Sequence, residues 1–348
     1  MRGKCGLFFS SYRAEAGLFP SAFQKTCLGL FLAALCACPL VLDTYHVSIL
    51  NVILIAVIGA AGLNLLTGVC GQISLGHGAF VGVGAYASAL ATLSGWPFVL
   101  SLLAGGLAAA ATGMVFGLPS LRLKGIYLAI ATLAAQLILE YLFLHATALT
   151  GGSNGLALDA PQILGFSFNT DTRIFYLILA VAVAVVLGVA NIIRTRPGRA
   201  FVAIRDHHLS AEIAGVNLFA GKLSAFGVSA FLAGVAGCLW AHYTMFINPE
   251  QFGITLSISY LAMIVIGGLG SVIGAIMGAV FITLLPELLN LASGGLAGLF
   301  PDMSASLNAL REGVFGLTLI LFLIFEPEGL AHRWRLIKAY WKLYPFAH

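Results

Sequence analysis

An all-α integral membrane protein is the fold class this chain predicts, on three observations. Sixty per cent of its 348 residues are hydrophobic and only 9% are charged, against roughly 25% charged residues in a soluble domain. The mean hydropathy is +1.01, which implies more apolar surface than one soluble core can bury, so lipid is the expected solvent. The charge is also clustered. Residues 194–222, RTRPGRAFVAIRDHHLSAEIAGVNLFAGK, mix both signs, while 174–193 and 223–249 hold no Asp, Glu, Lys or Arg.

About ten spans of transmembrane length are expected, near 26–42, 47–66, 78–94, 97–119, 125–145, 173–193, 223–243, 256–268, 272–290 and 309–326. The eighth is short, and the third is rich in Gly and Ala. Residues 26–42 also fit a signal peptide, since a basic segment precedes a short apolar run; nine spans would then remain. Orientation follows from Lys and Arg. With both termini cytoplasmic, fifteen of the seventeen fall inside, and only Arg173 and Arg311 lie outside, each at the start of a span. The reverse orientation inverts this bias. The chain then divides into a cytoplasmic segment (1–25), a transmembrane domain (26–326) and a cytoplasmic amphipathic tail (327–348). The domain carries a cytoplasmic loop at 194–222 and its largest outer loop at 146–172. The outer loop, rich in Gly, Asn, Thr and Asp, should be irregular or carry a short helix. The tail, HRWRLIKAYWKLYP, reads as interfacial, with Trp334 and Trp341 at headgroup level.

Forty-one glycines fit close packing of helices in lipid. The six cysteines, Cys5, Cys27, Cys36, Cys38, Cys70 and Cys238, show no metal spacing and read as small apolar residues. The Gly-rich stretches GQISLGHGAFVGVGAY (71–86) and GGLGSVIGAIMGAV (267–280) echo each other, each preceding a helix that runs outward. Transporters place binding or gating elements at such interruptions. No GxSxG, GxxxxGK[ST] or HExxH motif is present, and no paired carboxylates fall at useful spacing. Neither catalytic residues, metal ligands nor cofactors are therefore expected, and the chain is not expected to be an enzyme. If transport is driven by ATP, the ATPase is another chain.

The 194–222 loop is long for a simple connection. Pro197 and Gly198 should break the preceding helix, and a helical pattern from Arg199 would put Val202, Leu209 and Ile213 on one face. Arg205 and Asp206 decorate the segment. Ser210 is the expected N-cap of a helix over Ala211–Ala214, with Glu212 in its first turn and Gly215 as a left-handed end. Such a helix suits docking into a partner's groove, or lying flat on the membrane with its basic residues toward headgroups; the residues leave both open.

In these residues the chain resembles the membrane permeases of branched-chain amino acid ABC importers. The likeness rests on Ala203-Ile204-Arg205-Asp206, the spacing from Ala211 to Gly215, and Lys222. It extends to GQISLGHGAFVGVGAYAS (71–88), YLAIATLAAQ (127–136), TGGSNGL (150–156) and YLAMIVIGGLGSVIGAIMGA (260–279). At Thr195-Arg196-Pro197-Gly198-Arg199 the spacing is one residue shorter than the family's. The resemblance covers about residues 46–292 and is closer to the longer of the family's two permease types. It implies an inner-membrane subunit that pairs with a homologous permease, binds two ATPase subunits, and takes substrate from a periplasmic binding protein. No nucleic-acid partner is expected. On this resemblance Arg205–Gly215 is the coupling helix, with Arg205, Asp206, Ser210, Ala211, Glu212, Ala214 and Gly215 as contact residues.

Polar residues inside spans are the remaining candidates. Glu140 in span five lines the pathway or a permease interface, or else it reaches the outer surface or makes a structural hydrogen bond. Glu287 follows Pro286, where a kink is expected. His77, with Gln72 and Ser74, is either a gate at the cytoplasmic mouth or a group satisfying backbone atoms at a broken helix. Urea or short amides are an alternative cargo. A self-sufficient secondary carrier would need coupling-ion residues at the midplane, and the sequence offers few.

Overall fold

A backbone in lipid must satisfy its own N–H and C=O groups, so long apolar runs fold as helices. The computed structural model describes residues 22–297 apart from 122, 124, 164 and 165, and residues 313–343 apart from 315, 319, 323 and 327. Its helices are α1 Ala22–Val41, α2 Thr44–Leu63, α3 His77–Leu93, α4 Phe98–Gly117, α5 Ile126–His145 and α6 Asp171–Arg194. Two short ones follow, α7 Arg196–Asp206 and α8 His208–Ile213. The chain continues with α9 Leu218–Thr244, α10 Ile254–Gly267, α11 Val272–Ala297 and α12 Leu330–Leu343. Seven helical segments among the described residues are long and apolar enough to cross a bilayer. The helices at 25–41 and 77–93 are apolar but shorter. The expected tenth span at 309–326 is described only in part. Among the described residues, seven full-length helices and two shorter ones thus fall on nine of the ten expected spans.

α2 and α9 form the centre. Seventy-eight per cent of the apolar window of α2 and 72% of that of α9 are buried, against 22% for α6, which therefore faces outward. α9 packs along α3 and α4, while α2 meets α6, α9, α10 and α11. Glycine allows this closeness. A Cβ on Gly105 would lie 2.6 Å from the Gly84 carbonyl oxygen, and one on Gly234 would lie 2.7 Å from that of Gly105. Without a hydrophobic drive between helices, such backbone approach is what holds them in lipid. α10 and α11 use the same device at Gly267, Gly274 and Gly278.

The connection at 146–172 holds a helical turn at Thr147–Thr150, as expected, and strands that were not. β1 (Leu156–Ala157) pairs antiparallel with β4 (Phe246–Ile247), tying the end of α5 to the end of α9. β2 (Gln162–Ile163) and β3 (Phe166–Ser167) form a separate hairpin. Cys70 and Cys238 are buried among apolar side chains, and no group of three metal-ligating residues occurs among the described residues. The expected charges at Arg2, Lys4, Arg13, Arg122, Lys124 and Arg311, with Cys5, lie outside the described residues.

Candidate functional site

The charged loop folds as two helices meeting at a corner. α6 runs to Arg194, and the break falls at Thr195, whose hydroxyl donates to the Ile192 carbonyl at 2.6 Å. Pro197, two residues past this cap, cannot continue α6, as expected, and is also a first-turn residue of α7, where its missing N–H costs nothing. Gly198 is obligatory for a different reason: a Cβ there would collide with the carbonyls of Ile192 and Ile193. α7 buries Phe201 and Ile204 against the bundle.

Three expectations fail at His207, which adopts an extended φ of −158°. It ends α7 and caps α8, and its Nδ1 lies 3.1 Å from Ser210 Oγ. Ser210 is therefore not the N-cap, because the helix starts at His208, earlier than its sequence signals suggest. Glu212 is the fifth residue of α8 and lies beyond the first turn. Val202, Leu209 and Ile213 do not share a face, since the corner separates them; Leu209 is 55% and Ile213 88% exposed. The C-terminal reading holds. Gly215 has φ +83°, its N–H donates to the Glu212 carbonyl, and the Val216 N–H returns to that of Ala211 at 2.9 Å. This double bond is a Schellman ending. Ala211 is buried, while Ser210, Glu212, Ala214 and Gly215 are exposed. A crevice of about 640 Å³ runs between α8 and the start of α9, lined by Leu209, Glu212, Gly215, Phe219 and Lys222 among others.

Arg205 is exposed, with one edge of its guanidinium reaching the bundle. It holds Asp206 at 3.0 Å, and its Nη1 donates to the Gly68 carbonyl at 2.9 Å. Gly68 lies in a π-helical turn, Asn64–Val69, that ends α2. Such turns mark local departures from α geometry, often at functional positions. Gln72 lines a crevice of about 150 Å³ together with Cys70, Arg205, His208 and Lys222. Ser74 is fully buried and accepts from the Gly76 N–H at 3.4 Å.

α3 is short because it starts inside the protein. A helix start leaves four N–H groups without intrahelical partners, and burial demands that they be satisfied. Side chains from α5 and α10 do so. The Ala79 N–H donates to Gln136 Oε1 at 2.7 Å and the Gly78 N–H to Ser257 Oγ at 2.7 Å; just ahead of the helix, the Leu75 N–H donates to Thr132 Oγ1 at 2.9 Å. Ser257 Oγ also donates to Gln136 Oε1, and Gln136 Nε2 donates to the Phe252 carbonyl at 2.7 Å. His77 Nε2 sits 2.9 Å from the Gly59 carbonyl, with the ring edge-on to Tyr260. His77 here satisfies a backbone group at an interrupted helix. Reading the sequence missed Gln136, Thr132 and Ser257. Two of them lie in the quoted YLAIATLAAQ and were available as polar residues on a predicted span.

We expect Gln136→Leu to lower stability by about 3 kcal/mol, because it strands the Ala79 N–H and the Phe252 carbonyl at about 1–3 kcal/mol each. Thermal unfolding in detergent should show a clear loss, whereas Leu137→Ala on the exposed face of α5 should shift it little.

Glu140 and Glu287 are not brought to this site. Glu287 Oε2 accepts from the Tyr45 hydroxyl at 2.6 Å, at the opposite end of α2 from Asn64. At 1.5 Å per residue this is about 29 Å away. Glu140 lies partly buried in α5, where a Cβ on Gly253 would lie 3.6 Å from its Oε1. α11 continues as a helix through Pro286.

The fold and this site define a multi-pass α-helical membrane protein with interrupted helices meeting beneath a two-helix loop. Residues 45–323 match the family described as branched-chain amino acid transport system / permease component. The chain belongs to that family. It is 32% identical to the high-affinity branched-chain amino acid transport system permease protein LivM of Salmonella typhimurium, over 88% of this chain and 75% of the relative. The same figures hold for LivM of Escherichia coli strain K12. It is 30% identical to the autoinducer 2 import system permease protein LsrC of an Enterobacter species, over 69% of each chain. No solved structure matches.

Proposed function

We propose that the chain is the permease subunit of an ATP-driven importer, translocating branched-chain or related amino acids delivered by a periplasmic binding protein. Two ATPase subunits supply the energy, and a homologous permease completes the pathway. On this reading the protein spans the inner membrane ten times with both termini cytoplasmic. The α7–α8 loop meets the ATPases through Arg205, Asp206, Ser210, Ala211, Glu212, Ala214 and Gly215. Gln72, Ser74 and His77 border the cytoplasmic mouth, and Glu140 and Glu287 belong to the outer half of the pathway. The observation that carries the reading is the α8 surface. Leu209 and Ile213 stand exposed on a capped helix beside a crevice, in a loop whose basic residues favour the cytoplasmic side. Exposed apolar side chains grouped on one short element mark a contact surface.

The cargo follows the LivM relatives, whose match covers more of this chain than the LsrC match. Proteoliposomes holding the assembled importer, with ATP inside the compartment that the ATPases face, test it. Labelled leucine should accumulate and be competed by isoleucine and valine. Accumulation of urea or autoinducer 2 without leucine would replace the cargo, and leucine uptake driven by an ion gradient without ATP would replace the mechanism.

A further inference from the structure

The second glycine-rich stretch (267–280) is tied to the π turn just before the first (71–86), and one buried side chain makes the tie. Asn64 is 1% exposed. Its Oδ1 accepts from the Gly270 N–H at 2.8 Å and its Nδ2 donates to the Ser271 carbonyl at 2.9 Å. Both bonds cross from the π turn of α2 to the α10–α11 connection. Gly68 lies between: a Cβ there would collide with the Gly270 nitrogen and Asn64 Oδ1. Arg205 closes the assembly from the loop side. Its Nη1 donates to the Gly68 carbonyl. Its Cγ covers Gly71, where a Cβ would lie 2.6 Å away, and its Nη1 would lie 3.3 Å from a Cβ on Gly270. Gly71 and Gly270 both have positive φ, +73° and +77°, so neither loop can shift by substituting an ordinary residue without strain.

We propose that Arg205 and Asn64 are positioning residues of the transport cycle, a latch that clamps both glycine loops to the α7–α8 loop. Movement of α7 withdraws the guanidinium and frees the two loops together. The inference rests on the reading of this loop as the ATPase-coupling element. Discrete packing arrangements of this kind, and not continuous deformation, carry such movements. Arg205 has a second partner already in place, because Asp206 holds its other edge. The cation therefore stays paired when the Gly68 contact breaks. Cys70 reports the state. It is buried beside Gly71 and lines the same crevice as Arg205, and burial pushes its thiol up to about 12, so the closed form should alkylate slowly.

The test uses the assembled importer in proteoliposomes, with Arg205→Ala, Asn64→Ala, the double variant and Arg205→Lys. Substrate uptake per ATP hydrolysed should fall about tenfold in each alanine variant, within the usual range of coupling between sites. ATP hydrolysis should continue, and the double variant should be no worse than either single one. Arg205→Lys should recover part of the loss. Asn64 is buried and cannot touch the ATPase, so its matching defect separates a latch from a lost docking contact. Alkylation of Cys70, read at that site by mass spectrometry, should rise severalfold in Arg205→Ala and Asn64→Ala. Additive losses, or unchanged Cys70 alkylation in Arg205→Ala, would overturn the latch, the second even if Asn64→Ala does not fold. If the wild-type importer works without ATP, the coupling reading falls instead, and Cys70 alkylation alone decides the latch.

Discussion

Gly237→Leu leaves no folded protein to purify. Gly237 faces α3 across a close backbone contact, and even a Cβ there would collide with the Val81 carbonyl oxygen, with Ala85 N at 3.0 Å. Those obstacles are backbone, so no rotamer change relieves them. Separating α9 from α3 would also open the Gly84, Gly105 and Gly234 contacts that join α3, α4 and α9. Overpacking a core with movable neighbours costs about 1–3 kcal/mol. Displacing three helices exceeds that range and reaches the scale of total stability, about 5–15 kcal/mol. Gly188→Ala is the control. Nothing lies within 4 Å of a Cβ at Gly188 in the outward-facing α6, and alanine should raise stability slightly, by about 0.5–1 kcal/mol. Size-exclusion profiles and thermal transitions in detergent measure both. A folded, monodisperse Gly237→Leu protein would contradict the packing described.

Ile213→Glu abolishes uptake while leaving the protein inserted and stable. Ile213 is 88% exposed, so the substitution removes almost no contact within the chain. If Ile213 anchors an ATPase, a charge there removes an interface hot spot of at least about 2 kcal/mol, a loss of roughly thirtyfold in binding. Glu212→Lys should act in the same direction by reversing a charge on the crevice rim. Gly215→Trp works differently: its site is open, so nothing clashes, but φ +83° strains any residue with a Cβ by about 1–2 kcal/mol. It should distort the end of α8 and also abolish uptake. Normal uptake by all three would remove the loop from the mechanism.

The spans were legible because lipid imposes a one-dimensional rule: α2, α5, α6, α9, α10 and α11 all lie on predicted apolar runs, and even the shortness of α10 was visible. Gly215 was legible too, because a left-handed helix end has a residue signature. The start of α8 was not, since its cap is a histidine, which carries no strong capping preference, and the corner at His207 breaks the expected face. The network at the start of α3 was hidden for a different reason. Ala79 and Gln136 are 57 positions apart, Gly78 and Ser257 179 apart, and only the fold brings them together. Asn64 was not singled out, being one polar residue in an apolar run, yet it makes the bonds that join the π turn of α2 to the α10–α11 connection. The strand pairing of Leu156 with Ile247 was equally invisible, each partner being two residues long with no periodicity to read.

α8 should rest on an ATPase and not on the membrane surface. Ile213→Cys, carrying a short photoactivatable crosslinker, tests it directly in native membranes. The crosslinker should capture a chain with a P-loop, identified by mass spectrometry, with a yield that changes when ATP is trapped before hydrolysis. Capture of lipid alone, with and without trapped ATP, would contradict it.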